Sequence, residues 1–381
     1  MNILLTTHLY KTPDRIDLRG DADALHDFAA EWVRMGHRVT VLHAYMHNYT
    51  GFSRVKLLLP SMKLERAALD GVQILRVEMR LVKALDSVRR MFMRRAARIF
   101  AKELGDEKPD IILAHFPVIT AGLPESLPYP CSRVGVLHTT DISRLRSASI
   151  WPGYNCLGFR SKRIQDDFHA IAQWDKPEFL VYSGAPEVPE QSDRVREPNG
   201  IFKLLYAGKL IRRKNVDLVL RALSQLPAEI EWLFTIVGDG PERARLVGLI
   251  GDLNLGNRVA LTGTLPREEV LRLMGEQDVF VMPSVGETLG LVYLEAMAQR
   301  MVAIGTRGEG IDGIIVDGEN GYLVEPNVDA LVTLIERIAR LPNEEREQIE
   351  ENAVRTAREM NAPAMAAQYL ENATRLSGET I

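Results

Sequence analysis

Residues 286–299 read GETLGLVYLEAMAQ. They follow VFVMP (279–283), a short apolar run closed by Pro283, and they lead into an apolar stretch of helical length. This is the pattern of a buried strand, a glycine-bearing loop and a buried helix. The first N–H groups of such a helix have no intrahelical partner and lie at the positive end of its dipole. Leu289, Gly290 and Leu291 stand at that mouth, where Gly290 lets an anion come close to the backbone. Glu287 sits beside it, placed to face a neutral polyol such as a sugar. Glu295 follows eight residues later, about 2.2 turns on, so the two carboxylates are expected on one face. Vicinal hydroxyls donate in pairs to a carboxylate. The pair also fits a plainer reading, an acid favouring the helix dipole and a solvent-facing acid after it.

Outward from this stretch the same alternation repeats. Strands are expected at 203–207, 231–237, 259–262, 279–282, 302–305 and 321–324, with helices between them and three helical segments from 330 to 376. Towards the N-terminus, strands are expected at 2–6, 38–42, 72–76, 111–115, 133–137, 156–159 and 179–181, with helices at 22–35 and 82–104. Strand–helix alternation predicts an α/β chain of doubly wound, mainly parallel sheets. The segment SGAPEVPEQSDRVREPNG (183–200) loses periodicity and reads as a linker. The organisation expected is an N-terminal domain 1–182, a C-terminal domain 201–360 and a last helix, 361–381, packing back on the first domain. Two such sheets facing one another bind ligands at strand C-terminal ends.

Two further strand ends on the C-terminal side carry polar chemistry. In AGKLIRRKNVDL (207–218), Gly208 turns the chain, and Lys209 and Lys214 flank the turn with cations that suit a diphosphate. In IVGDGPER (236–243), Gly238, Asp239 and Gly240 make a tight turn before Pro241 at a helix start. Alone, the first is also a solvated charge run and the second a plain turn. Together with Glu287 they place three polar turns on one edge of one parallel sheet.

Composition narrows the class. The 381 residues have net charge −4, with 26 Lys+Arg against 20 Asp+Glu over 1–182 and 21 against 31 over 183–381, so the halves differ in surroundings. Cys131 and Cys156 form neither a disulfide framework nor a metal spacing, which suits a reducing, cytoplasmic setting. MNILLTTHLY reads as a first strand rather than a signal peptide, and no apolar run spans a bilayer. Nucleic acid is not an expected partner: basic residues lack interleaved aromatics and the whole chain is acidic.

From 203 to 326 the chain resembles the family-four (GT4) retaining glycosyltransferases, the glycosyl transferases group 1, of GT-B fold with two facing Rossmann-like domains and an interdomain cleft. AGKLIRRKN resembles the family's glycine–arginine–x4–lysine turn, VGDGPER its glycine–aspartate–glycine–proline turn, and Glu287 with Glu295 its Glu-x7-Glu pair. AIGTRGEGIDGIIVDGENGYLVEP resembles the segment after it. The resemblance implies that Glu295 holds the nucleotide ribose and Glu287 the donor sugar. Backbone at Leu289, Gly290 and Leu291 would meet the diphosphate or sugar, and Lys209 and Lys214 would neutralise the departing diphosphate. Backbone near Gly263 and Thr264 would meet the base. His115, ending DIILAH, is where the family often has a histidine touching the sugar, and a strand-end structural role is the alternative. His138, with Asp141 nearby, is a second cleft candidate on the acceptor side. Lys209 stands for the usual arginine, Asn215 for the usual glycine, and the loop 8–25 lacks the usual glycine pair.

The function implied is retaining transfer of a hexosyl unit from a UDP- or GDP-sugar to a glycan or lipid-linked acceptor, in surface polysaccharide or glycolipid synthesis, with no metal or other cofactor. Asp21 and Asp23 read as acids at a helix start rather than as metal ligands. The stretch 82–102 puts Lys83, Arg90, Arg94, Arg98 and Lys102 on one face and Leu85, Val88, Phe92, Ala96 and Ile99 on the other. That suits either a sheet-covering helix or docking on the inner face of an anionic membrane. A nucleotide-sugar epimerase of the same fold and a non-catalytic sugar-nucleotide-binding subunit are the alternatives.

Overall fold

The computed structural model describes residues 1–13, 21–48, 62–81, 86–145, 153–185 and 200–378. The chain forms two compact units: Met1–Ser183 together with Ala362–Ile381, and Gly184–Asn361.

The first unit holds β1 (Asn2–Thr7), β2 (Arg38–Asn48), β3 (Leu64–Leu69), β4 (Val72–Leu81), β5 (Ile111–His115), β6 (Ser132–Leu137), β7 (Cys156–Phe159) and β8 (Glu178–Leu180). Their order in the sheet is β3-β4-β2-β1-β5-β6-β7-β8. All pairs are parallel except β3 with β4. The winding reverses between β1 and β5, which makes their ends a topological switch point. Both strands are buried almost throughout because helices cover both sheet faces. Ile3, Leu5, Val39, Val41 and Ile111 pack beneath α1 (Asp21–Arg34), while Leu4, Leu42 and Ile112 pack beneath α2 (Asp86–Leu104). Short helices α3 (Thr139–Ile142) and α4 (Lys162–His169) follow β6 and β7.

Strand β3 was not expected. LERAAL has no β-branched residue and is half exposed at the sheet edge. What makes it a strand is the turn after it, where Asp70 and Gly71 take φ 50° and 79°, the two positive angles of a tight hairpin.

Helix α2 shows where the residues of this stretch lie, apart from Lys83 and Leu85, which are outside the described residues. Phe92 and Ala96 are buried in the core, with Val88 and Ile99 packed against it. Arg94, Arg95, Arg98 and Lys102 are exposed. The apolar face is therefore spent on folding.

The second unit carries β9 (Phe202–Ala207), β10 (Trp232–Val237), β11 (Val259–Gly263), β12 (Val279–Val281), β13 (Val302–Thr306) and β14 (Tyr322–Val324). They form an all-parallel sheet in the order β11-β10-β9-β12-β13-β14. Its helices are α5 (Val216–Leu223), α6 (Arg243–Asp252), α7 (Arg267–Met274), α8 (Leu291–Ala298), α9 (Val328–Ala339) and α10 (Asn343–Glu359). The switch point falls between β9 and β12, so the turns after these two strands are neighbours.

The last helix, α11 (Ala362–Ser377), belongs to the first unit. Trp32 Nε1 donates to the Ala366 carbonyl at 2.8 Å and Ser132 Oγ to that of Ser377 at 3.0 Å. Among the described residues no helix is long and apolar enough to cross a membrane.

Candidate active site

The polar turns of the second unit are stitched together along one edge of its sheet. Gly208 N–H donates to Val237 O at 3.0 Å, Leu210 N–H to Asp239 O at 2.9 Å, and Gly238 N–H to Gly263 O at 2.8 Å. The backbones touch: a Cβ on Gly238 would lie 1.9 Å from Gly208 O. The glycine at 238 is thus a demand of close packing between two turns. The Asp239 carboxylate accepts from Gly240 N–H at 2.6 Å and is exposed. Thr264, just beyond Gly263, is exposed as well.

After Gly208 the chain makes a 3₁₀ turn, Arg212–Lys214, and Asn215 takes a left-handed φ of 54°. That angle explains why glycine is usual here and why asparagine serves: it tolerates this region better than other side chains. Asn215 Nδ2 also donates to Pro283 O at 2.8 Å, and Val285 N–H to Arg213 O at 2.8 Å. The turn after β9 is so fastened to the loop after β12.

This fastening brings Glu287 between two cations. Lys214, buried to 9% exposure, donates from Nζ to Glu287 Oε2 and to Met282 Sδ at 3.4 Å. Arg213 donates to Glu287 Oε2 at 3.3 Å and to Gly286 O at 2.9 Å. Burial, followed by the Glu287 charge, pushes the Tyr206 hydroxyl pKa up; burial does the same for Tyr293. Lys209 is exposed and has no ion-pair partner among the described residues.

Helix α8 begins at Leu291, with Gly290 before it at φ 80° and no side chain capping it. A Cβ on Gly290 would meet the Tyr293 ring at 2.9 Å. Among the described residues, the N–H groups of Gly290, Leu291 and Val292 donate to no protein acceptor. The mouth is an open cluster of donors beside the Glu287 loop. Leu289 is buried beneath it.

The helical count from Glu287 to Glu295 is corrected here. Glu287 lies in the loop, four residues before the helix starts, so the eight-residue spacing does not set a common helical face. The acids engage different neighbours instead. Glu287 meets the turn after β9, while Glu295 accepts from Arg267 Nε on α7 at 3.0 Å.

Three contributors were not anticipated. Arg267 holds Glu295, the Glu309 carboxylate accepts from Gly286 N–H at 2.8 Å, and Tyr293 donates to Met282 O. Only Arg267 left a trace in sequence, as a charged first residue of a predicted helix.

In the first unit, His115 has the surroundings of its second reading, a structural residue at a strand end. The residue is wholly buried, Nδ1 lying 3.1 Å from His138 Nε2 and Nε2 3.1 Å from the Tyr369 hydroxyl of α11. Burial, and then the neighbouring His138 and Arg160, holds its pKa well below the ordinary value. His138 is buried too, and Asp141 caps α3, accepting from His138 N–H at 2.9 Å and Val118 N–H at 3.1 Å. Asp23 pairs with Lys11 at 3.0 Å near the start of α1.

Residues 187–356 match the family model of glycosyl transferases group 1. The chain is 33% identical over 168 residues to an alpha-D-kanosaminyltransferase of Streptomyces kanamyceticus, covering 44% of this chain and 41% of that protein. It is 30% identical over 224 residues to the lipopolysaccharide core biosynthesis glycosyltransferase LpsE of Rhizobium meliloti, covering 58% and 62%. The chain thus spans about two fifths to three fifths of the curated relatives it matches. Among solved structures, a sucrose-phosphate synthase of Thermosynechococcus elongatus superposes with TM-score 0.69 at 18% identity, covering 98% of both chains. Anabaena HepE in complex with UDP-glucose superposes with TM-score 0.66 at 17% identity, covering 99% of this chain and 100% of that one. The fold is GT-B.

Proposed function

We propose that this chain, whose residues 187–356 belong to the glycosyl transferases group 1 and whose fold is GT-B, is a retaining GT4 glycosyltransferase. It would move a hexosyl unit from a UDP- or GDP-sugar to a glycan or lipid-linked acceptor. The observation that carries this is the open α8 mouth beside the paired Lys214 and Glu287. Unspent N–H donors and a buried lysine are the equipment for a pyrophosphate, and a carboxylate next to them is the equipment for sugar hydroxyls. The UDP-glucose complex of HepE supports a nucleotide-sugar donor, and the names of the relatives support glycosyl transfer.

Chemistry follows from charge. When the bond from sugar to diphosphate breaks, negative charge gathers on phosphate oxygens. Lys209, Lys214 and the α8 N–H groups stabilise it more than they stabilise the intact donor. Lys214 gives up its bond to Glu287 as phosphate arrives, freeing that carboxylate to accept from the sugar. Glu295 would accept from the ribose hydroxyls, and backbone near Gly263 and Thr264 would meet the base. Cations of the protein do the work, so we propose that no metal or other cofactor is needed. No step is routed through His115, whose ring is enclosed.

For the acceptor, we propose contact with an anionic membrane surface through α2. Its exposed Met91, Arg94, Arg95 and Arg98 border an open groove of about 770 Å³. With the apolar face buried, the attraction is electrostatic and salt-sensitive.

Thermal-shift titration with UDP-, GDP- and ADP-sugars tests the donor reading, and NMR of the transferred sugar's anomeric proton tests retention. Stabilisation by none of these donors would end the first claim, and an inverted product the second. Pelleting with phosphatidylglycerol vesicles at rising salt tests the membrane contact, which absence of binding at low salt removes.

A further inference from the structure

We propose that Arg267 is a positioning residue that orients the Glu295 carboxylate for a ribose, and thereby sets a preference for ribonucleotide over 2′-deoxyribonucleotide donors. This rests on the donor-site reading above. Glu295 sits on LVYLEAMA, a helix whose other residues are all uncharged, and its side chain is only 17% exposed. A carboxylate so placed needs a partner to hold one rotamer. Arg267 supplies it from the first residue of α7, where Pro266 and the helix start fix its backbone.

The contact is economical. Only Nε donates, and only Oε1 accepts, at 3.0 Å. Among the described residues Oε2 has no other partner. A carboxylate can take about four hydrogen bonds, so Oε2 and the second lone pair of Oε1 remain for two vicinal hydroxyls. A carboxylate already fixed in its plane loses less rotational freedom when those hydroxyls bind. Arg267 also begins the helix that follows β11, four residues after Gly263 at the strand's end and three after Thr264. The competing view is an ordinary half-exposed ion pair that only steadies two helices.

Affinity ratios separate the two. Isothermal titration of UDP and GDP against their 2′-deoxy forms is carried out on the unmodified chain, Arg267→Ala, Arg267→Gln and Glu295→Gln, with inorganic pyrophosphate as a control. The unmodified chain should prefer the ribonucleotide about tenfold, one hydrogen bond to a charged group. Arg267→Ala and Glu295→Gln should bring the ratio to within about threefold, with pyrophosphate affinity changed less than about twofold. Arg267→Gln, which keeps an N–H donor on a shorter side chain, should recover part of the ratio and guards against a loss caused by misfolding. An unchanged ratio in Arg267→Ala, or no preference in the unmodified chain, overturns the proposal. Failure of the unmodified chain to bind any nucleoside diphosphate overturns the donor reading itself, and the proposal with it.

Discussion

The two units carry the same kind of edge and use it in opposite ways. In each, a parallel sheet reverses its winding, between β1 and β5 in one and between β9 and β12 in the other. At the first edge His115 and His138 are buried, hydrogen-bonded to one another, and closed over by Tyr369 of α11. At the second, Lys214 and Glu287 are paired as ions beside a helix mouth where, among the described residues, the N–H groups of Gly290, Leu291 and Val292 donate to no protein acceptor. One edge is a buried, hydrogen-bonded joint. The other keeps charge and donors ready for a ligand. The fold thus supplies a place for chemistry, and the side chains decide whether that place is used.

The largest test of this contrast is Lys214→Ala. It removes the buried cation from the charged edge and leaves Glu287 with Arg213 alone. Turnover of a nucleotide-sugar should fall by about 10²–10³-fold, the usual cost of losing one group aimed at developing charge. Steady-state kinetics with the best donor checks it, and unchanged turnover would place the leaving charge elsewhere.

Next comes Gly238→Ala, which probes the scaffold under that edge. The new Cβ would fall 1.9 Å from Gly208 O on a backbone at φ 132°, so the turns after β9 and β10 must part. A loss of about 3 kcal/mol in unfolding free energy is expected from strain and overpacking together. Denaturant unfolding measures it. A loss below about 1 kcal/mol would mean the two turns are less tightly joined than their hydrogen bonds indicate.

These two residues also show what can be read from sequence and what cannot. Turns announce themselves locally. Gly208 and Gly238 stand where strands end and Gly290 where a helix begins, and the cations and acids around them are near in the chain. Parallel alternation was legible for the same reason, because buried strands are continuously apolar. Partnerships across the chain were not legible. Tyr369 reaches His115 over 254 positions and Arg267 reaches Glu295 over 28, and neither leaves a periodic signal. Strand β3 was hidden because its residues favour helix and only its hairpin turn selects a strand. The late start of α8 follows from the positive φ at Gly290, which a periodicity count does not weigh.

Acid should probe the buried edge through His115. The folded His115 pKa lies well below the ordinary 6.5. Below that value an unfolded chain takes up a proton that the folded one refuses. The stability this residue contributes is therefore complete above pH 6.5 and lost as pH falls from there towards the depressed folded value. The slope should approach about 1.4 kcal/mol per pH unit, one proton's worth. Replacing the ring, as in His115→Gln, should flatten that portion of the profile. A profile identical in the variant would show that His115 is not the group being protected.

Tyr369→Phe should have the smallest effect and gives the finest comparison. It keeps the ring packed against Phe28 and Trp32 and removes only the hydroxyl beside His115 Nε2. A buried ring nitrogen then loses its partner, at about 1–2 kcal/mol. Because the bond removed joins an uncharged hydroxyl to a wholly buried ring, the loss should be the same in 0.05 M and 0.5 M salt, whereas binding of a diphosphate at the charged edge should weaken over that range. Unfolding of the variant at both salt concentrations, set beside nucleotide titrations of the unmodified chain, decides the matter. A salt-dependent loss in Tyr369→Phe would mean that charge resides at the histidine pair after all, and that the two edges differ in degree rather than in kind.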